Sequence, residues 1–233
     1  MASSAEPAHF SRIDMKRPGL RFRAAIFDLD GTLIDSMSVW KRVDRVFLAK
    51  RGITPPPDYF DAVGALGFLE TALYTIERFS LDETADELMR EWNEMVADEY
   101  AHNIKLKPGA GEYLVRLRDA GIKTALATSS TEELCASALS NNGIDHMFDA
   151  ICTVSEVGRG KEFPDIFIYT SGRLGVGPEG CLVFEDNIKA AMSAKAAGMA
   201  VLGVYDETVG DRWDEMKRIA DGWIMDFNDA PEP

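Results

Sequence analysis

Two aspartates two residues apart, Asp28 and Asp30, stand where the apolar run Phe22–Phe27 ends, and Gly31 permits a tight turn before Thr32-Leu33-Ile34-Asp35-Ser36. Such a pair repels unless it shares a cation or a proton, and a hard, oxygen-loving ion such as Mg²⁺ suits it. Asp and Gly also build ordinary turns, but a chance Asp-x-Asp-Gly-Thr in a chain this long has odds on the order of 10⁻³. Ligands of open α/β sheets bind beyond the carboxyl ends of the strands, so these acids lie where chemistry is expected. Three further clusters offer polar groups: Thr128-Ser129-Ser130, Lys161 in Gly160-Lys161-Glu162-Phe163-Pro164-Asp165, and Glu185-Asp186-Asn187. Taken singly, each has a bland reading as a helix cap, a loop lysine or a pair of strand-end acids.

Composition removes several alternatives. The 233 residues are 46% hydrophobic and 27% charged, which is ordinary globular usage. Acids outnumber bases 39 to 25, a net charge of −14, so phosphate backbones and anionic lipid are repelled; no nucleic-acid and no membrane partner is expected. Cys135, Cys152 and Cys181 lack C-x-x-C spacing, and His9, His102 and His146 form no H-E-x-x-H. That argues against a disulfide scaffold and a Cys- or His-based metal centre, and fits a cytoplasmic setting. Residues 1–20 build no apolar core of a signal peptide and read as a loosely ordered leader, and no stretch elsewhere is long enough to span a bilayer. Gly175-Val176-Gly177-Pro178-Glu179-Gly180 satisfies G-x-G-x-x-G. It precedes a strand rather than following one, and Pro178 lacks an N–H, so it reads as a turn.

The elements that must position these groups are legible from periodicity. Phe22–Phe27, Lys123–Ala127, Ala150–Val154, Cys181–Phe184 and Ala200–Val204 read as strands. Helical spacing fills most of the gaps: one helix starting at Pro108 with Tyr113, Leu114 and Leu117 on a face, another starting at a Ser130/Glu133 capping box and running to Gly143. Strands alternating with helices predict a doubly wound α/β fold, and continuous apolar strands predict a parallel sheet covered on both faces. From Ser36 to Lys107 the alternation stops. Val39, Trp40, Val43 and Phe47 make one helical stripe, Leu66, Leu69, Leu73 and Ile76 another, and Leu88, Trp92, Met95 and Val96 a third after a Ser80/Glu83 capping pair. The expected division is an α/β core over 21–35 and 107–228, an inserted small all-helical cap over 36–106, and a tail over 229–233. Eight acids between Asp82 and Glu99 read first as a solvated face.

Asp28-Leu29-Asp30-Gly31-Thr32 resembles the first motif of the haloacid-dehalogenase-like (HAD) superfamily, most of whose members are Mg²⁺-dependent phosphatases. Ala127-Thr128-Ser129-Ser130 is similar to the family's hydroxyl motif, Gly160-Lys161 through Phe167 to its lysine motif, and Val183-Phe184-Glu185-Asp186-Asn187 to its acidic motif. The four occur in the family's order and cover nearly the whole chain. The resemblance implies a Rossmann-like core with the first strand between the second and fourth. It implies Asp28 as a nucleophile that becomes an aspartyl-phosphate, and Asp30 as acid and then base. It also implies Thr128, Ser129 and Lys161 as phosphate-binding groups, and a Mg²⁺ site of Asp28, the backbone carbonyl of Asp30, Asp186 and, less directly, Glu185.

An insertion between the first and second motifs is where relatives with a small helical cap carry their lid. Asp30 favours phosphoryl transfer over dehalogenation. β-Phosphoglucomutases carry a His in the first cap helix, roughly where Trp40 stands, which weakens a mutase reading. Lys41 and Lys50 match a phosphonatase lysine by position only. Glu162 replaces a common Pro, and Ala190 a common Gly. The expected function is hydrolysis of a small phosphorylated metabolite, a sugar phosphate or nucleotide-like monophosphate, by a monomer. A phosphosugar mutase is the alternative, and a non-catalytic metabolite-binding protein the third reading. Trp40, Arg45 and Arg78 are candidates for specificity.

Overall fold

The computed structural model describes residues 21–63 and 66–233; the leader expected over 1–20 lies outside them. Six strands form one parallel sheet in the order β3-β2-β1-β4-β5-β6. They are β1 (Ala24–Phe27), β2 (Lys123–Thr128), β3 (Ala150–Thr153), β4 (Cys181–Glu185), β5 (Ala200–Val204) and β6 (Gly222–Ile224). Strand β1 lies between β2 and β4, as the resemblance implies. The sixth strand is too short, at three residues, to stand out by pattern.

Alternate side chains go to opposite faces, and both faces are buried, which is why the strands read as continuous apolar runs. Ala25, Phe27, Leu126, Leu182, Phe184 and Leu202 join one apolar cluster, and Ala24, Ile26, Ala125, Ala127, Val183 and Val201 the other. Register aligns Phe27 with Leu126 on one side and Phe184 on the other. The Phe27 and Phe184 rings stack at 4.7 Å, with Tyr113 and Phe227 packed around them. This aromatic floor fixes the strand ends from which the polar residues emerge.

Between β1 and β2 lie α1 (Met37–Lys50), α2 (Pro57–Val63), α3 (Phe68–Phe79), α4 (Ala85–His102) and α5 (Ala110–Asp119). The first four form the insertion, and its two connections run side by side: Asp35 N–H donates to Lys105 O and Lys107 N–H to Leu33 O, each at 2.9 Å. Phe47, Leu88, Trp92, Val96 and Tyr100 bury the mutual faces of α1 and α4 in the same cluster as Phe27. The acidic run along α4 is more than a solvated face, since Arg42 pairs with Glu99, Lys50 with Glu91, and Arg51 with both Glu83 and Glu91.

The remaining helices are α6 (Glu132–Asn141), α7 (Val154–Val157), α8 (Asp165–Leu174), α9 (Ile188–Ala196) and α10 (Trp213–Ile219). Several expected boundaries move. Helix α6 is capped by Thr131, whose hydroxyl accepts the Leu134 N–H, so the Ser130/Glu133 box does not form. Ser80 ends α3 with φ 51° instead of opening α4, which Thr84 and Glu87 cap reciprocally. Pro108 precedes α5 by two residues, because Gly109 supplies its N-cap. The Leu69 and Leu73 stripe of α3 is half exposed, and the helix buries Ala72 and Thr75. Gly175–Gly180 is a turn ending in a 3₁₀ step before β4, as expected.

Candidate active site

The parallel register brings the motif residues to one rim. Asp28 follows Phe27 directly, and its N–H donates to Phe184 O at 3.0 Å, which sets it level with the end of β4. Thr128 ends β2, and Glu185 ends β4 with Asp186 next. One carboxylate oxygen from each of Asp28, Glu185 and Asp186 lies within 4.8 Å of the others, and all three residues are buried.

Lys161 enters from the segment before α8. Its ammonium donates to Asp28 Oδ1 at 2.6 Å and lies 2.5 Å from Glu185 Oε2, with both side chains almost fully enclosed. The second contact is an ion pair, so the one ammonium is shared between the two carboxylates. Glu162, next to Lys161 in sequence, folds over Gly160, where a Cβ would collide with its carboxylate.

Charge balance explains the titration of the cluster. Burial pushes Asp28 up to about 7, the Lys161 ammonium pulling against it and Glu185 adding repulsion. Asp186 is raised well above the usual carboxylate range by burial first, then by Asp28 and Glu185. Burial alone would lower Lys161, yet Asp28 and Glu185 outweigh it and raise the ammonium above its ordinary value. Three carboxylates against one ammonium leave a negative excess away from water, which a divalent cation offsets. The donor set, three buried carboxylates offering hard oxygens within 4.8 Å of one another, fits Mg²⁺.

Gly31 and Thr32 build the turn that lets Asp186 in. Gly31 has φ 79°, and a Cβ there would collide with the Asp186 carboxylate. The Thr32 hydroxyl donates to Asp186 Oδ1 at 2.9 Å and accepts the Asp186 N–H at 3.1 Å. After it, Asn187 caps α9 by accepting from Lys189 and Ala190.

Asp30 is drawn elsewhere. Its Oδ1 accepts from Ser36 Oγ at 2.6 Å and from the Tyr100 hydroxyl, and its Oδ2 from Ser130 Oγ at 2.5 Å. Thr128 is buried and accepts the Ser130 N–H at 3.0 Å, while Ser129 stays partly exposed beside it. Thr32, Ser36, Tyr100 and Ser130 were not expected at the site as individual residues; only proximity in sequence to Asp30 or Ser129 hinted at three of them, and nothing hinted at Tyr100. Of the specificity candidates, Trp40 reaches this constellation through Tyr100. Arg45 lies over the Phe60 ring and Arg78 pairs with Asp58, both within the insertion. Lys50 is occupied by Glu91.

The chain is similar to known proteins. The haloacid dehalogenase-like hydrolase family matches residues 25–204. A bifunctional riboflavin kinase/FMN phosphatase of Arabidopsis thaliana is 33% identical over 182 residues, 77% of this chain but 47% of that protein, so this chain spans about half its length. A probable pseudouridine-5'-phosphatase of Drosophila melanogaster is 31% identical over 187 residues, 78% of this chain and 80% of that one. Among solved structures, CbbY from Rhodobacter sphaeroides in complex with xylulose-(1,5)bisphosphate superposes with a TM-score of 0.76 at 23% identity, covering 88% of this chain and 95% of that one, a likeness of fold. With the match spanning most of the chain and the acidic cluster at the predicted rim, the chain belongs to the haloacid dehalogenase-like hydrolases, as a phosphoester hydrolase.

Proposed function

We propose that the protein is a Mg²⁺-dependent phosphatase that hydrolyses a small phosphorylated metabolite, a sugar or nucleotide-like monophosphate, through an aspartyl-phosphate on Asp28. The observation that carries the reading is the Asp28 carboxylate held by Lys161 beside Glu185 and Asp186. Asp28, Asp186, Glu185 and the Asp30 carbonyl would hold the ion, which offsets repulsion between carboxylate and phosphate and stabilises transition-state charge.

The side chains supply the rest. Lys161 fixes the orientation of Asp28 and presents positive charge to the phosphate. Asp28 attacks phosphorus, dividing one difficult displacement into two easier ones. Asp30 protonates the departing alkoxide and then takes a proton from the water that cleaves the acyl phosphate. Thr128 and Ser129 offer hydroxyl and N–H donors ahead of α6 to the phosphate oxygens. In this reading 21–35 and 107–228 are the catalytic core and 36–106 a cap that excludes water and selects the substrate. Three buried, unpaired cysteines support a reducing, cytoplasmic setting.

Support for the substrate class comes from the relatives, whose names record an FMN phosphatase and a probable pseudouridine-5'-phosphatase. The test is phosphate release from p-nitrophenyl phosphate and a panel of phosphorylated metabolites with Mg²⁺, beside Asp28→Asn. No release by the native protein, or full activity in Asp28→Asn, overturns the reading. Conversion of β-glucose 1-phosphate to glucose 6-phosphate faster than phosphate release would replace it with the mutase.

A further inference from the structure

Asp30 belongs to the core, yet one of its hydroxyl donors comes from the far end of the insertion. Tyr100 lies in the last turn of α4, fully buried, and its hydroxyl is hydrogen-bonded to Asp30 Oδ1. The indole of Trp40, in the first turn of α1, donates to the same Tyr100 oxygen at 2.9 Å. An indole N–H can only donate, so the phenol oxygen is the acceptor there and its single proton is left for Asp30. The direction of the relay, Trp40 to Tyr100 to Asp30, is therefore fixed by chemistry.

Packing holds the relay rigid. The Trp40 ring meets the Tyr100 ring edge-on at 6.2 Å and the Phe68 ring at 5.3 Å. Ser36 and Ser130 supply the other two donors, one from the start of the insertion and one from the loop after β2. A serine hydroxyl turns about its Cβ–Oγ bond, whereas the buried phenol, whose oxygen already accepts from Trp40, has its proton aimed at Asp30. Removing that proton leaves Oδ1 with Ser36 alone and frees the carboxylate to turn about its Cα–Cβ and Cβ–Cγ bonds.

We propose that Tyr100, oriented by Trp40, is a positioning residue that sets the direction in which Asp30 presents its carboxyl group to the leaving oxygen. The proposal rests on the phosphatase reading, in which Asp30 is the acid and base. A positioned general acid contributes about 10²–10⁴-fold, and almost all of it where the leaving group is a poor one. An alkoxide needs that proton; p-nitrophenolate leaves readily without it.

The experiment compares the native protein, Tyr100→Phe, Trp40→Phe and Asp28→Asn on ribose 5-phosphate and p-nitrophenyl phosphate with Mg²⁺. In Tyr100→Phe, kcat on ribose 5-phosphate should fall by about tenfold or more beyond any fall on p-nitrophenyl phosphate, with KM moving less than kcat on both. Trp40→Phe, which keeps a ring and loses the N–H, should shift the ratio the same way by less. It also carries the test should Tyr100→Phe fail to fold. Equal losses on the two esters, or no loss, overturn the positioning role while leaving the phosphatase standing. Native protein inert on both esters and on the wider metabolite panel, or Asp28→Asn still active on either ester, overturns the phosphatase reading and this role together.

Discussion

The Thr32 hydroxyl both donates to Asp186 Oδ1 and accepts that residue's own N–H, at 2.9 and 3.1 Å, tying the turn after β1 to the turn after β4 across 154 positions of sequence. A carboxylate that must meet a cation at a fixed point gains most from such a clamp, because loss of a group that orients a ligand typically costs 10–100-fold in metal affinity. Thr32→Val keeps the shape and removes both bonds, leaving a buried N–H unpaired. The Mg²⁺ concentration for half-maximal activity should rise by about tenfold or more, with Thr32→Ser close to native. An unchanged Mg²⁺ requirement in Thr32→Val would show that Asp186 is held by its neighbours alone.

Gly31 faces the same carboxylate from the other side. Its φ of 79° disfavours any L side chain, and a Cβ would overlap Asp186. Gly31→Ala should therefore cost about 1–2 kcal/mol from backbone conformation alone, and should raise the Mg²⁺ requirement by displacing Asp186. Denaturant melts and metal titration separate the two effects. A variant that loses stability but keeps its metal requirement would mean that the turn yields without moving Asp186.

Metal and protons should compete at this cluster. Asp28 is raised to about 7 and Asp186 also upward, in both cases chiefly by burial. A group whose folded pKa exceeds its unfolded value stabilises below the unfolded pKa, and that stabilisation is lost as pH rises through the folded one. The metal-free protein thus loses this contribution between about pH 4 and about pH 7. A divalent cation bound there would take the deprotonated oxygens, so its stabilising effect should grow over the same window. At about 100 times Kd a ligand stabilises by about 2.7 kcal/mol, or about 5–10 °C in Tm for a domain this size. The difference in Tm between Mg²⁺ and EDTA should reach that range near pH 8 and fall to half or less near pH 5.5. A difference independent of pH would place the ion elsewhere.

Much of this was legible because parallel strands bury both faces and end in polar residues. Phe27, Leu126 and Phe184 are apolar because they are enclosed, and the acids and hydroxyls after them stand out against that background. The helical stripes of α1 and α4 were equally readable, since Val43, Phe47, Leu88 and Trp92 are buried in one cluster, with the Phe47 and Trp92 rings in contact. What stayed hidden depends on tertiary contact. Nothing local marks Tyr100 as a partner of Asp30, 70 residues away. The half-exposed Leu69 and Leu73 share their helical spacing with a core face, and Ser80 matches a capping box in type while ending a helix at positive φ.

Asp44 offers a test of the insertion that is independent of the metal. It lies one turn after Trp40 on α1, half-buried, with no hydrogen bond or ion pair among the described residues, and burial raises it to about 7. Above that pH the helix carries an unpaired, partly desolvated charge; below it the carboxyl is neutral and the cost vanishes. Asp44→Asn is nearly isosteric and cannot ionise. It should stabilise the protein by on the order of 1 kcal/mol near pH 8, a figure reduced for partial exposure, and by almost nothing near pH 5. Because Asp44 is not in the acidic cluster, EDTA should leave the increment unchanged. Urea melts of the two proteins at both pH values, with and without EDTA, measure it directly. Equal stability at pH 8 would show that water reaches the Asp44 carboxylate and solvates its charge.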